Sequence, residues 1–510
     1  MSSTGRIENG LATRPAAELD HGRPSAGSLK RCEVPVSLPV VEEIAADLDP
    51  VEAFERLTSL PHLLFFDSAG RRSSLARYSF LTADPFEWIW SRGRQIFIND
   101  AIERPENGDP FTVLAKRLQQ WRTAPVAGLP PFQGGAAGIF GYDLCHHLER
   151  LPRPRIDDFE IPDLAVGFYD WVLAFDHREG RTWINSTGFP ETDPERRRRR
   201  AITRLAEVRR RLTEPKRPIS LPGFQNRCAV AAQCALPLLD GLTSNFSCRD
   251  YLQTIERAIE YIHAGDCFQV NIAQRLLYPQ RDHPAHLYRR LRECNPAPFA
   301  GYLDMGDFVL ASASPERFLR VANGEVEARP IKGTRPRGSS SAEDRILMEE
   351  LLASAKDRAE NIMIVDLLRN DLGRVCRYGT VRVPALCRLE TYQYVHHLVS
   401  EVRGRLRDGL GPIDLLRAAF PGGSVTGAPK IRAMEIIAEL EPTARGPYCG
   451  SLAYLGFDGS MDSSILIRTF TIGRGWVQFP VGGGIVADSD PQREYDETLH
   501  KAEGMIRALS

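Results

Sequence analysis

The chain has 510 residues, enough for one large or two ordinary domains with a sizeable core. Its 43% hydrophobic and 26% charged content is that of a globular protein, and its apolar runs are too short to cross a bilayer. With 65 basic and 66 acidic residues the formal net charge is −1, so no global field favours nucleic acid and any anion site must be local.

Residues 1–32 are polar and lack an apolar period, which predicts a disordered tail. The same stretch has neither the apolar core of a signal peptide nor the acid-poor composition of a transit peptide. Ten cysteines, from Cys32 to Cys449, show no CxxC pair and no zinc spacing. Reduced thiols in a cytoplasmic protein are expected. Residues 33–212 form an N-terminal region in which short apolar runs, such as Leu63-Leu64-Phe65-Phe66 and Trp171-Val172-Leu173, favour strands over long helices. The glycine-rich stretch 134–143 matches neither a P-loop nor GxGxxG, and close strand packing is the better expectation. Arg196 to Arg200 read as the exposed start of an amphipathic helix over 195–212. Prolines at 215, 218, 222 and 237 mark residues 213–245 as the candidate linker, with a connection inside one compact unit as the equal alternative.

Residues 246–510 are more regular. Ser247 can cap a helix carrying Leu252, Ile255, Ile259 and Ile262. Strands are predicted at 267–275, 299–304, 308–313, 316–322, 325–331, 448–456, 463–473 and 476–481. Helices are predicted at 342–371, with a possible break, and at 428–440 and 492–508. Antiparallel hairpins with intervening helices indicate an α+β protein.

The segment Arg329-Pro330-Ile331-Lys332-Gly333-Thr334-Arg335-Pro336-Arg337-Gly338 sets one lysine among three arginines. Nearby positive charge disfavours an ammonium, which predicts a nucleophilic Lys332; a solvated basic loop is the alternative. Asn323-Gly324 signals a two-residue hairpin whose register sets Ile331 opposite Glu316. An ideal pleat then turns Glu316 and Lys332 to opposite faces, so a shared site requires a bulge or bend. An acid beside a nucleophile suits departure of a hydroxyl group, whereas a salt bridge from Glu316 to an arginine is the structural alternative.

Further along, Glu494, Glu497 and Lys501 share a helix face. Carboxylates from separate helices suit Mg²⁺, although Glu494 and Glu497 taken alone are more often a solvated helix face. The loop Phe420–Lys430 presents glycines before a helix, an arrangement that binds anions. Gly482-Gly483-Gly484 permits close approach of backbone to a carboxylate, and Arg468 can form a bidentate contact with one.

The ordered motifs SPERF, RPIKGTRPRG, DRAENIMIVDLLRNDLGR, YQYVHHLVSEVRG, FPGGSVTGAPKIRAMEII, GPYCGSLAYLGFDGSMDSSILIRT and VGGGIVADSDPQREYDETLHKA resemble those of the chorismate-utilising enzymes. The resemblance is strongest over about residues 247–505. It implies two facing antiparallel sheets in a sandwich, with helices outside and the N- and C-terminal regions interleaved. It also implies chorismate as substrate and Mg²⁺ held by Glu360 and Glu497, with Glu494 as a water-mediated helper. Lys332 would attack C2 of chorismate while Glu316 protonates the departing C4 hydroxyl. His397 would lie near the ring, and Gly333 and Thr334 near its carboxylate. Tyr448, Arg468, Gly483 and Gly484 would hold the enolpyruvyl carboxylate. Ser424 is counted with the substrate-binding groups and Lys501 is the cation near the metal carboxylates.

Within that family two positions discriminate. Gln269 occupies the place of a water-activating lysine in isochorismate and salicylate synthases, and glutamine is no base. Lys332 gives PIKGT, the form resembling aminodeoxychorismate synthases, where anthranilate synthases resemble PIAGT. The resemblance therefore implies ammonia addition, with ammonia from a separate glutamine amidotransferase subunit, since no such pattern is visible in this chain. Anthranilate synthase chemistry is the alternative within the family. A non-catalytic chorismate- or tryptophan-binding regulatory subunit is the alternative of another class. Related N-terminal regions hold tryptophan near a segment matched by Leu64–Ser68, but buried strand packing is the expectation here.

Overall fold

The strand Gly135–Phe140 shows how the molecule is layered. It is buried along its whole length, with Ala136 and Phe140 in one apolar cluster and Ala137 and Ile139 in another. Alternate side chains thus serve opposite faces, which is why such strands read as continuous apolar runs. The computed structural model describes residues 38–44, 48–70, 75–99, 106–216, 227–392 and 395–510, so the tail expected at 1–32 lies outside the described residues.

Two large antiparallel sheets, of thirteen and twelve strands among the described residues, face each other. Leu64, Phe80, Leu303 and Leu310 from the first meet Ile139, Leu452 and Tyr454 from the second in the layer between them. Helices Pro50–Leu57, Pro194–Thr213, Pro284–Cys294 and Pro491–Leu509 pack outside the first sheet through Phe54, Leu205, Leu291 and Met505. Helices Pro110–Gln120, Ala355–Gly373 and Pro412–Ala419 cover the second through Leu114, Ile364 and Leu416. Early and late segments share both sheets. Leu64–Asp67 pairs with Phe299–Asp304, and Gly135–Phe140 pairs with Ser451–Gly456. This is the interleaved α+β sandwich expected from the sequence.

Local expectations mostly survive. Gly138 packs so closely that a Cβ there would lie 2.0 Å from the Ala165 carbonyl oxygen. Ser247 caps Cys248–His263 by accepting from the Asp250 amide at 3.1 Å. The predicted helix at 342–371 breaks into Ser341–Ala353 and Ala355–Gly373, with Ser354 capping the second. Leu64–Asp67 is a strand, as expected, and also borders a cavity of about 390 Å³. Helices at Pro110–Gln120, Pro284–Cys294 and Pro412–Ala419 escaped the periodicity reading, although each carries proline in its first turn. The arginine run is less solvated than expected. Arg200 and Arg204 both reach the buried Asp170, and Arg197 lies over the Phe189 ring.

Candidate active site

The hairpin forms in the expected register: Ala322 pairs with Glu325 and Arg320 with Glu327. Asn323 and Gly324 both adopt positive φ, +52° and +76°, as a two-residue turn of this hand requires. After Ala328 the chain breaks and resumes as the strand Ile331–Pro336 against Val395–Arg405. There Ile331 pairs with Val399 but Thr334 pairs with His397, so three steps on one strand oppose two on the other. Lys332 and Gly333 occupy this bulge, with Gly333 at φ +81°. A bulge is thus present at Lys332, as one of the two devices the sequence required, but it lies against Val395–Arg405 and not between the arms of the hairpin.

Around it the Lys332 ammonium donates to Glu360 Oε1 at 2.7 Å and to the Ser424 carbonyl at 3.2 Å. The Ser424 hydroxyl donates to Glu316 Oε1 at 3.1 Å, and the Ile331 amide also donates to the Glu316 carboxylate. Ser424 therefore bridges the lysine and the acid. Burial pushes the Glu316 carboxyl up to about 7, against the Lys332 charge and the hydrogen bonds from Ser424 and Ile331. An arginine salt bridge to Glu316, the bland alternative, is absent among the described residues.

The expected role of the arginines is corrected. Arg329 pairs with Glu390 and Glu401, Arg335 with Glu350 and Asp357, and Arg337 with Asp344. Each of the three thus faces a carboxylate of its own. The nearest charged partner of Lys332 is Glu360.

On one flank, His397 Nδ1 lies 2.8 Å from the Thr334 hydroxyl, and the ring hydrogen-bonds the Gly333 main chain. Burial and the neighbouring Arg468 hold the imidazole down at about 4, so it is neutral at pH 7. Arg468, at φ +52°, is solvent-accessible yet walled by protein, as a side chain inside an open cleft is. Burial lowers its pKa, and among the described residues no carboxylate pairs with it. Tyr448 is buried, hydrogen-bonded to Cys449, with the Arg445 guanidinium over its ring.

On the other flank, Gly483 and Gly484 lie in Trp476–Ile485, paired with Ile272 and Asn271. A Cβ at Gly483 would sit 3.2 Å from Glu494 Oε2 and 3.5 Å from Glu497 Oε1. One at Gly484 would sit 3.2 Å from Glu360 Oε1 and 2.1 Å from Gln269 Nε2. Three carboxylates thus face space that only glycine leaves open. Burial pushes the Glu360 carboxyl up, but the Lys332 charge and hydrogen bonds from Lys332 and Gln269 outweigh it and hold it below its ordinary value. Burial raises Glu494, assisted by Glu497 and opposed by a hydrogen bond from Ser489. These oxygens are the donors a hard cation such as Mg²⁺ takes. They do not close into a three-ligand group among the described residues, and two of them carry a lysine: Lys332 pairs with Glu360 at 2.7 Å and Lys501 with Glu497 at 2.5 Å.

Residues 71–507 match the family model described as chorismate binding enzyme. The chain belongs to the chorismate-binding enzyme family. It is 42% identical to anthranilate synthase component 1 of Thermus thermophilus, over 92% of this chain and 97% of that one. It is 40% identical to aminodeoxychorismate synthase component 1 of Klebsiella aerogenes, over 89% and 95%. Among solved structures it resembles anthranilate synthase component I of Streptococcus pneumoniae, with 32% identity, a TM-score of 0.72, and coverage of 85% and 93%. The menaquinone-specific isochorismate synthase of Escherichia coli shares the fold at a TM-score of 0.65 and 18% identity, over 92% and 95%. Chorismate-binding enzymes of two activities are thus about equally similar to it.

Two site features were missed from the sequence. Buried Arg445 donates to both Glu441 oxygens and to the carbonyls of Val425 and Asn271, tying the Ser424 loop to the strand Gln269–Pro279. The i,i+4 spacing of Glu441 and Arg445 was the available signal. The loop Phe420–Lys430 also does not run straight into its helix. Gly427 and Ala428 first pair with Val270 and Gln269, and Ser424 is the part that reaches the site.

Proposed function

We propose that this protein is the synthase component of an aminodeoxychorismate synthase, converting chorismate and ammonia to 4-amino-4-deoxychorismate for 4-aminobenzoate and folate biosynthesis. The observation that carries the reading is the bulge, which sets Lys332 beside Ser424 while the Ser424 hydroxyl holds Glu316. A carboxyl titrating at about 7 is substantially protonated at neutral pH, as a general acid must be. Glu316 donates its proton to the C4 hydroxyl as the C4–O bond breaks and water leaves. Lys332, its proton released to solvent, forms the bond to C2; the C1=C2 double bond moves to C1=C6 and C5=C6 moves to C4=C5 as the C4 oxygen leaves. Ammonia then bonds to C4 and sheds a proton, both double bonds return to their original places, and Lys332 departs from C2 with its electron pair. The net change is replacement of hydroxyl by amine with release of water.

Arg468, with no carboxylate partner among the described residues, supplies a cation for one substrate carboxylate, with neutral His397 and Thr334 beside it. Glu360, Glu494 and Glu497 would hold Mg²⁺, with Lys501 balancing their charge. When bound, the ion would neutralise a substrate carboxylate and orient it. A separate glutamine amidotransferase subunit supplies the ammonia in this reading. A cytoplasmic setting belongs to the same reading.

Anthranilate formation is the second reading, favoured by the 42% identity to an anthranilate synthase component 1. Incubation with chorismate, Mg²⁺ and ammonium separates the two. The expected product yields 4-aminobenzoate on addition of a lyase, whereas direct release of anthranilate and pyruvate would overturn the assignment. Lys332→Ala is expected to impair C4 amination, with small external nucleophiles restoring part of it. Unchanged activity and product in that variant would remove the covalent role.

A further inference from the structure

Both flanking metal carboxylates carry a lysine. Glu360 is held by Lys332 at 2.7 Å and Glu497 by Lys501 at 2.5 Å. Each lysine also touches a backbone carbonyl, Lys501 that of Gly482 at 3.0 Å and Lys332 that of Ser424 at 3.2 Å, but only Ser424 also holds the acid Glu316. Lys332 is the proposed nucleophile, and its contact with Glu360 ties up the same oxygen, Oε1, that faces Gly484 and accepts from Gln269. A carboxylate oxygen held by an ammonium at hydrogen-bond distance is poorly available to a second cation. We infer that Lys332 and the divalent cation compete for Glu360, so that loading of the cation releases the lysine, leaving the Ser424 carbonyl as its remaining anchor. This rests on the assignment of Glu360 as a metal ligand.

The arrangement has a direct physical logic. Without a metal, Lys332 neutralises a half-buried carboxylate that Gln269 alone cannot. With the metal present, that task passes to the ion and the ammonium is freed beside Ser424 and Glu316. Glu360 is then a positioning residue with two alternative partners, and the nucleophile is deployed only in the loaded site. Competition of this kind lowers the apparent affinity for the metal by the fraction of protein in which Glu360 is free.

The test uses the full-length protein without chorismate and measures Mg²⁺ binding by calorimetry. Lys332→Met is expected to bind Mg²⁺ about tenfold more tightly than wild type, equivalent to about 1.4 kcal/mol. Lys356 acts on Glu360 only through space, so Lys356→Met measures the general effect of losing a positive charge and is expected to change the affinity less than about twofold. A second readout follows acetylation of Lys332 by acetic anhydride, read by mass spectrometry of its peptide. Saturating Mg²⁺ is expected to raise labelling of Lys332 several-fold while Lys430, paired with Asp371, stays constant. Binding unchanged or weakened in Lys332→Met, an equal gain in Lys356→Met, or labelling unaffected by Mg²⁺ would each overturn the competition. Loss of binding in Glu360→Gln, with these outcomes, would leave the metal assignment standing. No saturable binding by wild type or Lys332→Met would remove the metal assignment and the competition together.

Discussion

Glu316 is enclosed by protein, only 7% exposed, and its neighbours only partly offset what that burial costs a carboxylate. A general acid with a pKa of about 7 loses its proton as pH rises through neutrality, so kcat/KM for ammonia-dependent turnover should fall on the alkaline side of about 7. Glu316→Gln should reduce turnover by roughly 10²–10⁴-fold and remove that limb, which a pH profile of both proteins checks. The same shift has a stability sign. The folded state binds this proton more tightly than the unfolded chain does, so its stabilising effect is full below the ordinary value of 4.5 and disappears as pH rises through about 7. Between those limits the wild type should lose about 3 kcal/mol from this group. Urea unfolding of wild type and Glu316→Gln at pH 5 and pH 8 isolates the difference. His397, held down at about 4, should contribute no inflection between pH 6 and 7. At this scale the sequence revealed which residues meet but misjudged what surrounds Lys332. Local composition showed three arginines, and only the fold shows that each faces a distant carboxylate.

The elements around the site are positioned by close backbone approaches and one buried ion pair. Gly427 lies at φ +144°, and a Cβ there would be 2.1 Å from the Gln269 carbonyl oxygen. Neither backbone can give, so Gly427→Ala should cost at least about 2 kcal/mol and lower turnover by displacing Gln269 and the adjoining loop, read by urea unfolding and steady-state kinetics. The hairpin at Asn323-Gly324 and the need for a bulge were legible because turn chemistry and the two-residue period are local rules. The pairing of Ile331–Pro336 with Val395–Arg405 was not, because about sixty residues and two helices intervene. Arg445 was also missed as a site residue: its spacing from Glu441 was visible, but the carbonyls it ties together lie at 271 and 425. Arg445→Met should strand the Glu441 charge and cost about 3–5 kcal/mol. Glu441→Leu combined with Arg445→Met should recover most of that stability but not the activity, because the Val425 and Asn271 carbonyls still lack their donor.

At the scale of the whole chain, each sheet is continuous only because early and late segments are neighbours. Phe299–Asp304 pairs on one side with Leu64–Asp67, and Ser451–Gly456 pairs with Gly135–Phe140. A fragment covering 227–510 would retain every proposed catalytic and metal-binding side chain yet lose both partners. It would expose two strand edges, with Ala300, Leu303 and Leu452 stripped of part of their cover. The helices over the first sheet would be depleted as well, since Phe54 and Leu205 pack into the same cluster as Phe470 and Phe479. Sequence similarity concentrated in the later half is therefore a poor guide to what folds. The 227–510 fragment alone should be aggregation-prone or molten, with weak near-ultraviolet circular dichroism and no turnover of chorismate. Co-expression with a fragment covering 1–226 should restore a soluble complex with measurable activity, because the cut falls between the two sets of strands and interrupts none of the described ones. A fragment that folds and turns over chorismate alone would show that the earlier strands are dispensable to the site. That outcome would require the edges at Phe299–Asp304 and Ser451–Gly456 to be protected by something other than the partners they have here.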